Sequence, residues 1–219
     1  MTLSAPIYQL KRKAKALSRQ QGIPLHDALD RIAVEEGFPR WSLLVAKLAD
    51  PAGRLLSLFR EGDLVLVGAR PGQGKTLLAL DLASEAVKIG RRSVFFTLEY
   101  TEAECVRLFP GEFDCSDAID AEHIMSRLAG AERGTLAVID YLQLLDQRRE
   151  SPSLALQVAA LKSFASERGL ILVFLSQIDR SYDPALKPFP DLSDVRLPNP
   201  LNLSLFDRAC FLQNGEVRC

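Results

Sequence analysis

The chain has 219 residues, 47% of them hydrophobic, and a formal net charge of −1 at pH 7. That length and apolar content allow one large domain, or a medium domain with a small appendage, and exclude global disorder. The near-neutral charge excludes an overall basic field as a route to nucleic acid, so any such contact needs a local patch.

In chain order, the first fifty residues read as helices only. Leu10 to Gln20 is a basic helical stretch ended by Gly22. Pro24 suits the first turn of the next helix, where Leu25, Ala28, Leu29, Ile32 and Ala33 form one apolar stripe. After Gly37 and Pro39 a third segment places Trp41, Leu44, Val45 and Leu48 inward, with Trp41 read as core. Asp50-Pro51-Ala52-Gly53 reads as a linker, giving a three-helix module over 1–50 and a second domain over 54–219.

From Gly62 the pattern changes to strands alternating with helices. Leu64 to Val67 is a continuous apolar run, as expected of a parallel strand buried on both faces. A glycine-rich loop follows, then a helix from Lys75 to Lys88. Ser93 to Leu98 is a second strand, and Thr101-Glu102-Ala103-Glu104 is a capping box opening another helix. Leu136 to Ile139 is a third strand, ending in Asp140. Leu154 to Glu167 is helical, and Leu170 to Leu175 is a fourth strand. Such alternation implies an α/β fold, a parallel sheet flanked by helices. Asp179 to Asn202 reads as a long irregular loop, and the end of the chain as a hairpin turning at Asn214-Gly215.

The four cysteines (Cys105, Cys115, Cys210, Cys219) show no CxxC pairing and no ligand-like spacing with His26 or His123. They read as reduced thiols rather than a zinc site or a disulfide framework. The N-terminus lacks the uninterrupted apolar segment of a secretory signal, and no apolar run approaches the ~20 residues that span a bilayer. The expected location is cytoplasmic, without membrane contact.

The chemistry concentrates in Ala69-Arg70-Pro71-Gly72-Gln73-Gly74-Lys75-Thr76. The pattern GxxxxGK[ST] needs glycines because backbone N–H groups wrap closely around phosphate oxygens, and the following helix N-terminus adds favourable partial charge. Its first position is Ala69 here, with Gly68 just before it. Strand, loop and helix fall in the required order, so the loop is read as an ATP site holding Arg70, Gly72, Gln73, Gly74, Lys75 and Thr76. Lys75 supplies charge to the β- and γ-phosphates, and the Thr76 hydroxyl ligates Mg²⁺. Asp140, ending an apolar strand, is placed to hold Mg²⁺ or else caps a helix. Glu99, ending the second strand, emerges at the same sheet edge, as a water-orienting carboxylate or a plain surface acid. Gln177, ending the fourth strand, is either a reporter of the γ-phosphate or a loop hydrogen-bonder.

Four segments together, ARPGQGKT, the strand ending TLEY, VIDYLQLL and FLSQIDRS, resemble the motor domain of DnaB-type replicative helicases within the RecA-like ATPases. That family also carries alanine at the first loop position. DLSDVR at 191–196 and Asp207 before the last apolar strand are similar to its later segment, so the likeness runs from Gly62 to Leu212. The resemblance implies a RecA-like sheet for the second domain, beside the small N-terminal all-α module read from the residues, which departs from the family's usual N-terminal domain. It implies Lys75 and Thr76 as the nucleotide and Mg²⁺ ligands, Glu99 as catalytic glutamate, Asp140 as the Walker B acid, and Gln177 as a sensor coupled to the DNA-facing loop, with Arg180 and the loop after it toward DNA or a neighbouring subunit. It further implies single-stranded DNA as a partner and homo-oligomerisation. Only Arg208 and Arg218 lie where the family places an arginine-finger segment, which points to a slow ATPase or to an ATP-gated regulatory protein.

Lys11, Arg12, Lys13, Lys15 and Arg19 crowd one N-terminal helix. Such a cluster meets DNA phosphates, docks a partner, or is simply a solvated face. No aromatic residue is interleaved among them to suggest sequence-specific readout.

Overall fold

A computed structural model of the chain describes every residue except 1–3, 6, 102–103, 105–107, 109, 118, 147–151 and 198. It divides into two units, 1–51 and 52–219.

In the first unit, α1 (Ile7–Gln21), α2 (Leu25–Glu35) and α3 (Trp41–Ala49) follow one another through turns at Gly22 and Gly37, both with positive φ. Leu10 and Ala14 of α1 pack on Ala28 and Ile32 of α2, with Trp41 partly buried against them. The Trp41 N–H donates to the Asp30 carboxylate at 2.8 Å, which satisfies one of the orphan amides opening α3. Leu25, at the end of the expected apolar stripe, is exposed instead. The side chain of Leu48 lies outside the described residues.

The expected linker at 50–53 is not one: α4 runs from Pro51 to Leu58. Pro51 opens this helix, where a proline's missing N–H costs nothing. Gly53 costs roughly 1 kcal/mol inside a helix. Burial of Ala52, Leu55 and Leu56 against Val65 and Val67 outweighs that cost.

The second unit is built on seven strands: β1 (Leu64–Ala69), β2 (Ser93–Thr97), β3 (Glu112–Asp114), β4 (Leu136–Asp140), β5 (Ile171–Gln177), β6 (Arg208–Gln213) and β7 (Glu216–Arg218). Their order is β3-β2-β4-β5-β1-β6-β7, parallel throughout except for the antiparallel β6–β7 pair. Strand periodicity sends alternate residues to opposite faces. Leu64, Leu66, Phe96, Ile139 and Phe174 enter one core, which α6 (Ala121–Arg127) and α7 (Leu154–Arg168) cover. Val65, Val67, Phe95, Val138 and Val173 enter the other, beneath α4 and α5 (Lys75–Lys88). Both faces are therefore dry, as the uninterrupted apolar runs require. Among the described residues, no helix is long and apolar enough to cross a membrane.

Sequence reading passed over β3 and α6. The first is a three-residue edge strand, half-buried, whose EFD carries no apolar periodicity. The second is seven residues long, capped by the Asp120 side chain accepting from the His123 N–H. The capping box at 101–104 is described only in part, since residues 102 and 103 lie outside the described set. Its described half is present, the Thr101 N–H donating to the Glu104 carboxylate at 2.9 Å.

The hairpin turns where expected, with Asn214 and Gly215 both at positive φ, as a type I′ turn demands. It also overturns the reading of reduced thiols for two of the four cysteines. Cys210 and Cys219 are disulfide-bonded across β6–β7. They are nine positions apart in sequence, but the ladder pairing Phe211 with Arg218 sets their Cα atoms 4.0 Å apart. Spacing rules for metal and disulfide motifs do not anticipate a pairing created by a hairpin register. Cys105 lies outside the described residues.

Candidate active site

The carboxyl ends of β1, β2, β4 and β5 share one rim of the sheet. Ladder registers pair Ala69 with Gln177 and Thr97 with Asp140, so the residues that end these strands are neighbours there. In an open parallel sheet this rim is where ligands bind.

The phosphate loop leaves β1 after Ala69, which is fully buried and still in the strand. Its φ is not positive, which explains why alanine serves at the first position of the pattern. Glycine is needed one residue earlier. A Cβ on Gly68 would come within 2.8 Å of the Phe211 ring on β6. The positive φ values inside the loop belong to Gly72 (78°) and Gly74 (85°), where any other residue is strained. A Cβ at either position would meet nothing within 4 Å, so the backbone borders open space. Gly74 leads into α5, whose N-terminus has no side-chain cap. Its first amides are thus free to receive an anion. Gln73 is turned aside: its side-chain oxygen accepts from the Asn214 N–H of the hairpin at 2.8 Å.

Lys75, on the first turn of α5, reaches Asp140 at the end of β4, Nζ to Oδ1 3.1 Å. The Asp140 side chain is fully buried and that of Lys75 is 12% exposed. Such a pair is held because each charge would be costly alone. Asp140 Oδ2 is buried without a hydrogen-bond partner. An orphaned carboxylate oxygen is rare in a finished interior and points to a missing ligand. Thr76, half-buried, is the next residue along α5.

A hydroxyl and a carboxylate are hard oxygen donors suited to Mg²⁺, which keeps several waters and typically takes one or two carboxylates together with substrate phosphates. Among the described residues, no group of three or more His, Cys, Asp or Glu could hold a metal alone. That donor set fits a magnesium ion arriving with a nucleotide better than an ion in a protein cage.

Glu99 lies two residues beyond β2, its N–H donating to the Thr97 hydroxyl at 3.0 Å. Burial pushes its carboxyl above the ordinary value of 4.5, the Asp140 charge adds to that, and Lys75 opposes it. The three groups are therefore close enough to sense one another. A displaced glutamate beside a lysine and a second acid in one cleft is a common mark of a functional site.

Gln177 ends β5 and is tied to Arg196 twice. Its carbonyl accepts from the Arg196 N–H at 2.8 Å, and its side-chain oxygen accepts from Arg196 Nη1 at 3.2 Å. Gln143, just past β4, donates to the Arg196 carbonyl at 2.8 Å. Sequence reading missed Gln143 and Arg196 as parts of the site, although Gln143 stands out as a polar residue in the apolar run YLQLL. Between Gln177 and Arg196 the chain forms a loop whose foot is an Ile178–Val195 bridge. Lys187 spans Asp191 and Asp194 inside it, and its hydrogen bond is the main reason Asp191 is lowered to about 2. Tyr182 is buried under the loop, and its hydroxyl donates to the Lys187 carbonyl at 2.8 Å. Burial raises the Tyr182 pKa and the Arg70 charge is among the influences opposing it, which sets the first basic residue of the phosphate loop near this second loop. Arg180 is exposed. Asp207 belongs elsewhere: it accepts from the Leu64 N–H at the start of β1, at the opposite end of that strand.

Comparison with known proteins bears on the fold and on what the chain is similar to. The family model for the DnaB-like helicase C terminal domain matches residues 52–111. The replicative DNA helicase DnaB of Mycoplasma pneumoniae is 26% identical, the match covering 67% of this chain and 41% of that protein. The replicative DNA helicase DnaB of Treponema pallidum is 27% identical, covering 63% and 41%. The chain thus spans about two fifths of the length of these curated relatives. Among solved structures, one isolated ATPase domain superposes with a TM-score of 0.60 at 21% identity, over 75% of each chain. A DnaB-like replicative helicase, whose structure was reported together with its interactions with primase, superposes with a TM-score of 0.63 at 19% identity, covering 93% of this chain and 66% of that one. The chain is therefore similar to the DnaB-type replicative helicases, and its larger unit shares the fold of the ATPase domain of such a protein.

Proposed function

We propose that the larger unit binds ATP with Mg²⁺ and hydrolyses it, and that the chain acts on DNA as a self-associating DnaB-like protein. The observation that carries this reading is the convergence of Lys75, Asp140 and Glu99 at the rim beside the open backbone of Gly72 and Gly74.

In this reading the loop amides from Gly72 to Thr76 cradle the phosphates, with Arg70 and Gln73 shaping the loop. Lys75 exchanges its contact with Asp140 for the β- and γ-phosphates. Thr76 and Asp140 would hold a magnesium ion, and Asp140 keeps a carboxylate oxygen without a partner. When bound, Mg²⁺ neutralises charge across the phosphate oxygens. Glu99 orients a water and takes its proton, a role suited to a carboxylate raised toward the working pH. Gln177 senses the γ-phosphate and passes the state to the 178–195 loop through Arg196. Single-stranded DNA is the proposed partner of that loop.

A second reading, an ATP-gated regulatory protein without efficient turnover, has one observation in its favour. Arg208 is held by Asp63 at 3.0 Å, and Arg218 lies over the Phe189 ring while pairing with Glu216. Each would have to leave these contacts to serve a neighbour as an arginine finger, Arg208 at the greater cost because its pair is the more buried. ATPase rate measured against protein concentration, with and without single-stranded DNA, separates the two. Turnover that climbs with both supports the motor. Tight nucleotide binding with negligible turnover at every concentration selects the regulator.

A further inference from the structure

We infer that the N-terminal unit carries its own binding face for the phosphate backbone of nucleic acid, made by Lys11, Arg12, Lys15 and Arg19 of α1. This inference does not depend on ATP turnover, nor on the 178–195 loop meeting DNA.

α1 contains five basic residues and no acidic one. At 3.6 residues per turn, positions 11, 12, 15 and 19 fall within roughly 100° of arc and span about 12 Å along the axis. All four are exposed. None has an ion-pair or hydrogen-bond partner among the described residues, in contrast to the paired Arg92, Arg127, Arg133, Lys162, Lys187 and Arg208 of the larger unit. The fifth cation, Lys13, faces another way, toward Glu36, whose carboxyl it helps to lower after the larger effect of Ser4. The opposite side of α1 is occupied, since Leu10 and Ala14 are fully buried in the three-helix core.

Four unpaired like charges on one short stretch of helix repel one another, and that repulsion is relieved by a dense anionic partner. A nucleic-acid backbone gains most, because each phosphate neutralised releases condensed counterions. An anionic membrane is disfavoured. Helices that lie on membranes bury an apolar face opposite their cations, and here that face is committed to the module core. The contact carries no base information, so it is independent of sequence and steep in salt.

The test is duplex DNA binding by the full chain without nucleotide, over a range of salt, for wild type and for Lys11→Ala/Arg12→Ala/Lys15→Ala/Arg19→Ala. The expected result is at least roughly a tenfold weaker Kd near physiological salt, and a log–log salt slope shallower by about 2 to 4, at ~0.9 per phosphate contact. Helical circular dichroism and melting temperature establish that the variant is folded. Lys11→Arg/Lys15→Arg should keep both affinity and slope. A folded quadruple variant with unchanged Kd and slope would overturn the inference. So would wild-type protein that binds phosphatidylserine vesicles through these residues and leaves DNA alone.

Discussion

Two loops meet at the same rim and are built in opposite ways. The phosphate loop, 70–74, is defined by its own residues: a strand runs into it, Gly72 and Gly74 supply the backbone turns, and α5 starts at Lys75. The 178–195 loop has local turns of its own, among them a capping box over Asp191 to Asp194, but its placement rests on distant partners. It is held by Ile178 bridging Val195, Gln177 binding Arg196, and Lys187 spanning two aspartates. A loop fixed by backbone conformation is stiff and suits a ligand of constant shape. One fixed by a few polar contacts at its foot has a discrete set of bonds to make or break, which is what a switch requires.

Breaking the stiff side gives the largest expected effect. Lys75→Met should abolish ATP hydrolysis and, because it strands the fully buried Asp140, destabilise the fold by about 3–5 kcal/mol. Adding Asp140→Asn removes the stranded charge. The double variant should therefore recover most of the melting temperature while remaining inactive. Recovery of activity along with stability would mean that Lys75 is structural.

Glu99→Gln comes next. ATP should still bind, measured by a fluorescent nucleotide, while hydrolysis falls by roughly 10²- to 10⁴-fold. The working form is the carboxylate and its pKa is raised, so wild-type rate should climb with pH through a midpoint above 4.5. The residual rate of the glutamine variant should lack that limb. The sign for stability runs the other way. A carboxyl raised in the folded state contributes stability at low pH and loses it as pH rises through the folded pKa. Neutralising Glu99 should thus leave the melting temperature at pH 7 unchanged or higher. A variant that loses stability and activity together would mark Glu99 as a structural acid.

On the switch side the effect is smaller and differently shaped. Arg196→Ala removes one side-chain hydrogen bond to Gln177, worth about 1 kcal/mol at most on an exposed site, and leaves every group at the nucleotide in place. Basal hydrolysis should change less than threefold, whereas stimulation by single-stranded DNA should be largely lost. Equal losses in both rates would place Arg196 in catalysis and dissolve the contrast between the loops.

The same contrast explains what could be read from sequence. Leu64 to Val67, Ser93 to Leu98 and Leu170 to Leu175 announce buried parallel strands because both faces of each are dry, and the residues ending them fall at the rim by geometry alone. Glu99 and Asp140 are legible for that reason, and Lys75 from the glycine pattern of the loop before it. The hidden parts are those made by distant partners. Arg196 finds Gln177 nineteen positions away, and Gln73 finds Asn214 across 141 positions. The Cys210–Cys219 bond depends on a hairpin register. At α4 a helical propensity penalty at Gly53 hid an element that burial on the sheet sustains. Local pattern carries no information about such pairings until the topology is known.

The smallest expected effect lies where the stiff loop touches the C-terminal hairpin. The Gln73 side chain accepts from the Asn214 N–H, and Asn214 itself sits at φ 51°, in the left-handed region that asparagine tolerates better than most residues. Gln73→Ala deletes the acceptor but leaves that N–H at the surface, where water replaces it. The loss in stability should therefore be about a few tenths of a kcal/mol, near the detection limit of a thermal melt. What should move is ATP affinity, by roughly two- to fivefold, because Gln73 lies between the two positive-φ glycines and its tether fixes the direction of the intervening peptides. Gln73→Glu supplies the same acceptor oxygen and should keep the hydrogen bond, but it brings a negative charge beside the phosphates. If the tether alone matters, Gln73→Glu binds ATP like wild type at high salt and more weakly at low salt, where its repulsion is unscreened. Identical affinity for wild type and Gln73→Ala at every salt would show that the phosphate loop holds its shape without the hairpin, and that its stiffness is entirely its own.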